Sequence, residues 1–175
     1  MSVDLVMRHY THDDLPQIRQ LLIDLGTEAS PDTMDNPFRQ RFPWFVDHWG
    51  RNPGFACVIA YADNEPVGFA YGAPATENRE WWREHVHPAP QKSRTFAVSE
   101  LRIRPKWRKT DASTRTHAAL LHDRPEDLAV LLVDVLHPKV QALYESWGYR
   151  KVGESQPLAD SPRYAVMLAE LPLPA

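Results

Sequence analysis

The chain is poor in cysteine and glycine and has no surplus of positive charge: 175 residues hold one cysteine, seven glycines, and 20 Lys+Arg against 23 Asp+Glu, for a net charge of −3. The lone cysteine, Cys57, excludes an intrachain disulfide. Its place in the apolar run FACVIAY marks a buried, inert thiol. Without a cationic excess there is nothing to displace the counterions of a nucleic acid, so general nucleic-acid binding is not expected. No run of about 18 apolar residues occurs, which argues against a membrane-spanning helix. The opening MSVDLVMRHYTHDDL is broken by Asp4 and lacks the apolar centre of a signal peptide. A soluble, cytoplasmic protein with no membrane partner is expected. The length suits one domain covering 1–175. The 16 prolines gather in connections such as SPDTMDNPFRQRFP, HVHPAPQ and QPLADSP, and no repeat or linker divides the chain.

Hydrophobic periodicity sets the order of elements. DLVMRHY alternates as a first strand. DDLPQIRQLLIDLG puts Leu15, Ile18, Leu22 and Leu25 on one helical face, with Asp13 placed to cap, Pro16 in the first turn and Gly26 to end it. Residues 28–50 are proline-broken and aromatic, with a short helix around PWFVDHW. FACVIAY and VGFAYGA, apolar on both faces and joined by ADNEP, predict a hairpin. The long connection 74–95 contains ENREWWREHVH, where Trp81 and Trp82 either wall a substrate pocket or pack a helix onto the core. His85 and His87 alternate as a metal pair would, but no third ligand stands at useful spacing, so no metal site is expected. Further on, STRTHAALLHD reads as a helix and LAVLLVDV as a buried strand. HPKVQALYESWG is a helix with Pro138 in its first turn, Val140, Leu143, Tyr144 and Trp147 on one face, and Gly148 at its end. YRKVGE and RYAVMLAEL are the last strands. The order β-α-(α)-β-β-β-α-β-α-β-β predicts an α/β (α+β) fold, a mixed sheet with helices on both sides.

The strand FAVSELRIR has an irregular pattern. Phe96 and Val98 are apolar at even positions, Leu101 and Ile103 at odd ones. A strand changes its buried face in this way by inserting one residue, a β-bulge, here at Ser99–Glu100. It then feeds the basic, hydroxyl-rich turn WRKTDASTRT and a helix. A strand, a turn and a helix start make a favourable seat for phosphate, because free N–H groups and the positive end of the helix dipole meet there. Such turns usually contain glycine. This one has none, and Asp111 stands where the helix should begin.

The element order, with VSELRIRPKWRKTDAS, HPKVQALYESWGYRKVG and the amphipathic opening helix, resembles the GNAT superfamily of acyl-CoA-dependent N-acyltransferases over nearly the whole chain. The resemblance implies a mostly antiparallel sheet of six to seven strands, splayed at the bulge, with acetyl-CoA as co-substrate and no metal. It gives the backbone of Leu101 and Ile103, with Arg102 between them, the acyl-pantetheine arm, one N–H polarising the thioester carbonyl. Glu100 becomes the base that takes a proton from the amine, against the plainer alternative of a surface carboxylate paired with Arg102 or Arg104. Tyr144 matches the tyrosine that protonates the departing thiolate, although its spacing also suits a core residue. Arg108, Lys109, Thr110, Asp111, Ala112 and Ser113 align with the pyrophosphate turn, and His137 stands where the family has asparagine, able to bond the arm, cap its helix or relay a proton near Tyr144.

Two departures matter. Aspartate tolerates unusual φ, so Asp111 can take the place of the turn glycine, yet as an N-cap it would compete for the N–H groups of Ser113 and Thr114 and repel phosphate. Lys106, Arg108, Lys109 and Arg115 pull the other way. Three functions follow: transfer of an acetyl or other acyl group to a primary amine of a small molecule or peptide; a GNAT fold with weak or no CoA binding, acting as a ligand-binding or regulatory module; or altered acyl chemistry in the same fold. Trp44, Trp49, Trp81 and Trp82 favour a small cationic or aromatic acceptor. A homodimer is one assembly that the resemblance allows.

Overall fold

Among the described residues, seven strands and four helices follow one another in the order the periodicity predicts. The computed structural model describes residues 4–29 and 40–174, so part of the proline-broken segment, residues 30–39, lies outside the described residues. The elements are β1 (Val6–Thr11), α1 (Leu15–Ala29), α2 (Phe42–Gly50), β2 (Ala56–Ala62), β3 (Glu65–Pro74), β4 (Thr95–Ile103), α3 (Ala112–Leu121), β5 (Leu128–Asp134), α4 (Pro138–Ser146), β6 (Arg150–Ser155) and β7 (Tyr164–Glu170). Hydrogen bonding links the strands in the order β1-β2-β3-β4-β5-β7-β6. The β4–β5 pair is parallel, while β1–β2, β2–β3, β5–β7 and β6–β7 are antiparallel. The chain divides into two compact units: Met1–Ala73 with Glu100–Leu120, and Pro74–Ser99 with Leu121–Ala175.

In the first unit, Asp63 (φ 49°) and Asn64 (φ 66°) form the two-residue turn of the β2–β3 hairpin, a conformation asparagine and aspartate adopt more readily than other side chains. A register shift at Ala60/Tyr61 turns Val67 away from the face that Phe69 and Tyr71 share. One face carries Cys57, Ile59, Phe69 and Tyr71 against Ile18, Leu22 and Leu25 of α1 and Phe42 and Val46 of α2. The opposite group is Ala60, Ala62, Val67, Ile103 and Ala112, the last opening α3. Buried Cys57 behaves as expected; burial pushes its thiol pKa far up.

Two expectations for α1 are corrected. Its entry is tied by Asp14 rather than Asp13, the Asp14 carboxylate accepting the Thr11 N–H at 2.8 Å. Gly26 does not end the helix, which runs to Ala29. A Cβ at Gly26 would collide with the Phe42 ring, so this glycine is there to let α2 approach.

In the second unit, β5 pairs with β7 along its whole length, from Leu128↔Glu170 to Asp134↔Tyr164. Gly148, at φ 107°, closes α4 as predicted, with the Tyr149 N–H returning to the Tyr144 carbonyl at 3.2 Å. The expected burial of the α4 face does not occur: no residue of α4 is buried, and Val140 and Leu143 are exposed. The segment expected to carry a helix at the tandem tryptophans is a run of turns.

Candidate functional site

The second half of β4 is where the sequence departs from plain alternation, and the backbone there is irregular. The Ala75 N–H bonds the Thr95 carbonyl at 2.9 Å, and the Arg104 N–H bonds the Val67 carbonyl at 2.9 Å. From Val67 to Ala75 is eight steps, whereas from Thr95 to Arg104 is nine. Between these bonds β4 therefore carries one residue more than β3, as a bulge requires. Burial changes at the expected place, with Thr95–Val98 buried and Ser99–Arg102 half-buried. The β4–β5 ladder comprises Thr95↔Leu128, Phe96↔Ala129 and Ala97↔Val130, and β4 continues as strand to Ile103 beyond it.

Side chains past the bulge take opposite faces. Leu101 and Ile103 join the cluster around Ala60 and Ala112. Arg102 lies on the helix side, its guanidinium 4.8 Å from the Phe42 ring centroid, with Nη1 donating to the Gly26 carbonyl at 3.1 Å and Nε to Glu100 Oε2 at 2.9 Å. Glu100 thus makes the ion pair named as its plainer role. Its side chain is still 21% exposed, so the carboxylate is fixed in direction while remaining within reach of solvent.

The turn is built around Lys109, and one expectation is corrected here. The left-handed residue is Lys109, at φ 63°; Asp111 does not adopt positive φ. The Thr110 hydroxyl donates to the Trp107 carbonyl at 2.6 Å and accepts the Ala112 N–H at 3.2 Å. The Asp111 carbonyl accepts the Arg115 N–H at 3.0 Å, opening α3, and its carboxylate lies 4.0 Å from Arg115 Nη1. Ser113 is half-buried in the first turn of α3.

Most of the cations proposed for phosphate are engaged by the fold itself. Arg108 donates from Nη2 to the Ala29 carbonyl. Lys106 pairs with Glu65 at 3.2 Å, and Arg104 spans Glu28 at 2.9 Å and Glu65 at 2.7 Å. Lys106 first, then Arg104, hold the Glu65 carboxyl below its usual pKa. Arg102, Arg104 and Arg108 all meet the last turn of α1, where helix carbonyls lack partners and the dipole favours cations. The period-2 pattern does contain this contact, since Arg102 and Arg104 alternate with Leu101 and Ile103, but it does not name the partner.

Sequence reading also passed over His117. It is 1% exposed on α3, and burial lowers its pKa to about 4. Neighbouring Thr116, equally buried, donates to the Ala112 carbonyl at 2.7 Å.

Within the second unit, Tyr144 packs edge-on against Trp147 (5.1 Å) and Tyr149 (5.7 Å). Burial and then the neighbouring Tyr144 raise the Tyr149 pKa well above its ordinary value. His137 occupies the N-cap position of α4, but its side chain makes no capping bond, which corrects the capping role; Nε2 lies 3.8 Å from Asp134 Oδ2. Trp82 is fully buried, its indole donating to Thr95 Oγ1 at 2.9 Å beneath Arg83, 4.4 Å from the ring centroid. Of the two alternatives for the tandem tryptophans, Trp82 takes the packing role; Trp81 is half-buried. Among the described residues no group of three or more His, Cys, Asp or Glu could hold a metal ion, and no helix is long and apolar enough to cross a membrane.

No family profile and no curated protein matches the sequence. Solved structures do match. An aminoglycoside 6'-acetyltransferase type Ii is 20% identical with a TM-score of 0.65, covering 97% of this chain and 99% of its own. A GNAT-family acetyltransferase of Bacillus cereus is 13% identical with a TM-score of 0.63, covering 95% and 97%. The PaiA N-acetyltransferase of Thermoplasma acidophilum, solved with coenzyme A, is 9% identical with a TM-score of 0.59, covering 96% and 99%. The chain has the GNAT acetyltransferase fold.

Proposed function

We propose that this chain is an acetyl-CoA-dependent N-acetyltransferase acting on a primary amine of a small molecule or peptide, by direct attack in a ternary complex. The observation that carries this reading is β4 itself. Its parallel ladder ends at Ala97↔Val130, it contains one extra residue, and it runs on through Glu100–Ile103 into the turn that opens α3. The Leu101 and Ile103 backbone is assigned to the acyl-pantetheine arm, and the turn Arg108–Ser113, with exposed Lys109, to the pyrophosphate. His137 is assigned to the arm as well. Glu100 takes the proton of the attacking ammonium, because only the neutral amine is a nucleophile. The amine nitrogen then bonds the thioester carbonyl carbon and the C–S bond breaks with its electron pair passing to sulfur, which takes a proton from Tyr144. The second nitrogen proton restores the Tyr144 phenol through solvent, leaving an amide, free CoA and one proton on Glu100. A preorganised N–H facing the developing oxyanion would supply most of the rate.

A second reading has its own support. Lys106, Arg108 and Arg115 are already engaged within the fold, and Asp111 puts a negative charge at the start of α3. A protein that keeps the fold and binds CoA weakly or not at all fits those facts. Thermal unfolding separates the two. Acetyl-CoA at about 100 times its Kd adds roughly 2.7 kcal/mol and raises Tm by several degrees, and a panel of amines then identifies the acceptor by amide formation. An unchanged Tm at millimolar acetyl-CoA removes the enzyme.

A further inference from the structure

A cavity of about 390 Å³ opens at a corner of the sheet, lined by Pro90, Lys92, Asp127, Leu128, Arg150 and the β7 residues Leu168 to Leu171. It lies at the end of β5 where β5 is paired to β4, through Thr95↔Leu128, and none of its lining belongs to the residues assigned above. The notch has a simple origin. The β6–β7 ladder starts at Arg150↔Leu168, whereas β7 goes on to pair with β5 as far as Leu128↔Glu170, so β7 outruns β6 by two residues.

The chemistry of the lining is mixed. Pro90 and Leu171, both half-buried, supply the apolar surface the cavity offers, while Leu128, Leu168 and Ala169 are almost fully buried. Lys92, Arg150 and Glu170 are exposed charges, and none makes an ion pair with any other described residue. The fourth charge, Asp127, is held by Arg94, whose Nε lies 3.4 Å from Oδ2. Two cations alone would describe an anion site. Glu170 beside them disfavours a simple anion and calls for a positive group on the same molecule. An apolar patch next to charges of both signs matches a small zwitterion with a hydrocarbon side chain, and the volume is in the range of small-molecule sites.

We propose that this corner cavity binds a free α-amino acid with an apolar side chain, its carboxylate toward Arg150 and Lys92, its ammonium toward Glu170, and its side chain on Pro90 and Leu171. This site does not depend on the transferase reading.

Thermal unfolding with three matched probes tests it: L-leucine, 4-methylpentanoate (no ammonium) and 3-methylbutylamine (no carboxylate), each at about 10 mM and equal ionic strength. L-leucine is expected to raise Tm by about 2–4 °C, and the other two by less than a quarter of that. In Arg150→Ala and Glu170→Gln the L-leucine shift disappears. Both residues are exposed, so both variants are expected to melt cooperatively near the parent Tm. An equal shift with 4-methylpentanoate, no shift with L-leucine, or a full shift surviving in both variants overturns the proposal. Whether acetyl-CoA stabilises the same samples bears only on the transferase reading, so the two can fail separately.

Discussion

Arg102 Nε stands 2.9 Å from Glu100 Oε2, two residues back on the same strand, and Nη1 of the same guanidinium reaches the Gly26 carbonyl in the last turn of α1. One side chain therefore ties the carboxylate proposed as base to the end of the first helix. Planar guanidinium geometry fixes direction as well as distance. The pairing and the catalytic role are compatible in geometry, since the ion pair orients the carboxylate that the base role requires.

Glu100→Gln keeps the size of the side chain and removes its ability to take a proton. Turnover should fall about 10²- to 10⁴-fold, with KM for acetyl-CoA changed by less than about twofold, measured by steady-state kinetics on a folded variant. Retention of full turnover would leave Glu100 only its ion pair with Arg102.

The turn gives a binding prediction. The carboxylate of Asp111 sits beside the first turn of α3, 4.0 Å from Arg115. Asp111→Asn removes its charge and retains a residue competent at a helix start. Acetyl-CoA affinity should rise about three- to fivefold, the equivalent of ~0.6–1 kcal/mol, read by calorimetric titration. Unchanged affinity means that Asp111 does not oppose the phosphates.

Strand and helix order was legible because apolar periods of 2 and 3.6 survive in a single sequence, and the parity change between Val98 and Leu101 pointed to an extra residue in β4, which the flanking bonds bracket between Thr95 and Arg104. Long-range partners were not legible. Nothing local says that Arg108 meets Ala29 or that Arg102 meets Gly26, because those contacts join residues more than seventy positions apart. Glycine commonly ends a helix, whereas Gly26 lies inside α1 and relieves a clash with the Phe42 ring. The left-handed position falls to Lys109, within a turn closed by the Thr110 hydroxyl on the Trp107 carbonyl, a contact that composition does not reveal. The exposed face of α4 fits the same pattern: spacing gives the stripe but not what covers it.

Gly26 supplies a packing test. A methyl group there meets the Phe42 ring, and overpacking of this kind costs about 1–3 kcal/mol. Gly26→Ala should lower Tm by roughly 3–10 °C, despite alanine's better helix propensity. Phe42→Leu in the same chain should recover part of that loss, a non-additive result expected of residues in contact. Strict additivity would separate the two positions.

His117 predicts how stability depends on pH. Burial lowers its pKa to about 4 from an ordinary 6.5, so the folded protein holds it neutral while the unfolded chain takes up a proton below pH 6.5. The unfolded state then binds more protons between these limits, and stability rises with pH across that window. The contribution is fully present above about pH 6.5 and is lost as pH falls toward 4. A span of 2.5 pKa units corresponds to about 3 kcal/mol at most. Denaturant unfolding at pH 7.5, 6, 5 and 4.5 should show this decline, and His117→Gln should flatten it while lowering stability at pH 7.5. The carboxylates held down by arginine and lysine, Asp47 and Glu65 among them, lose their contribution only at lower pH, as protons reach groups whose folded pKa lies below the ordinary carboxylate range. Loss between pH 7 and 5 that persists unchanged in His117→Gln would assign the acid sensitivity to another group.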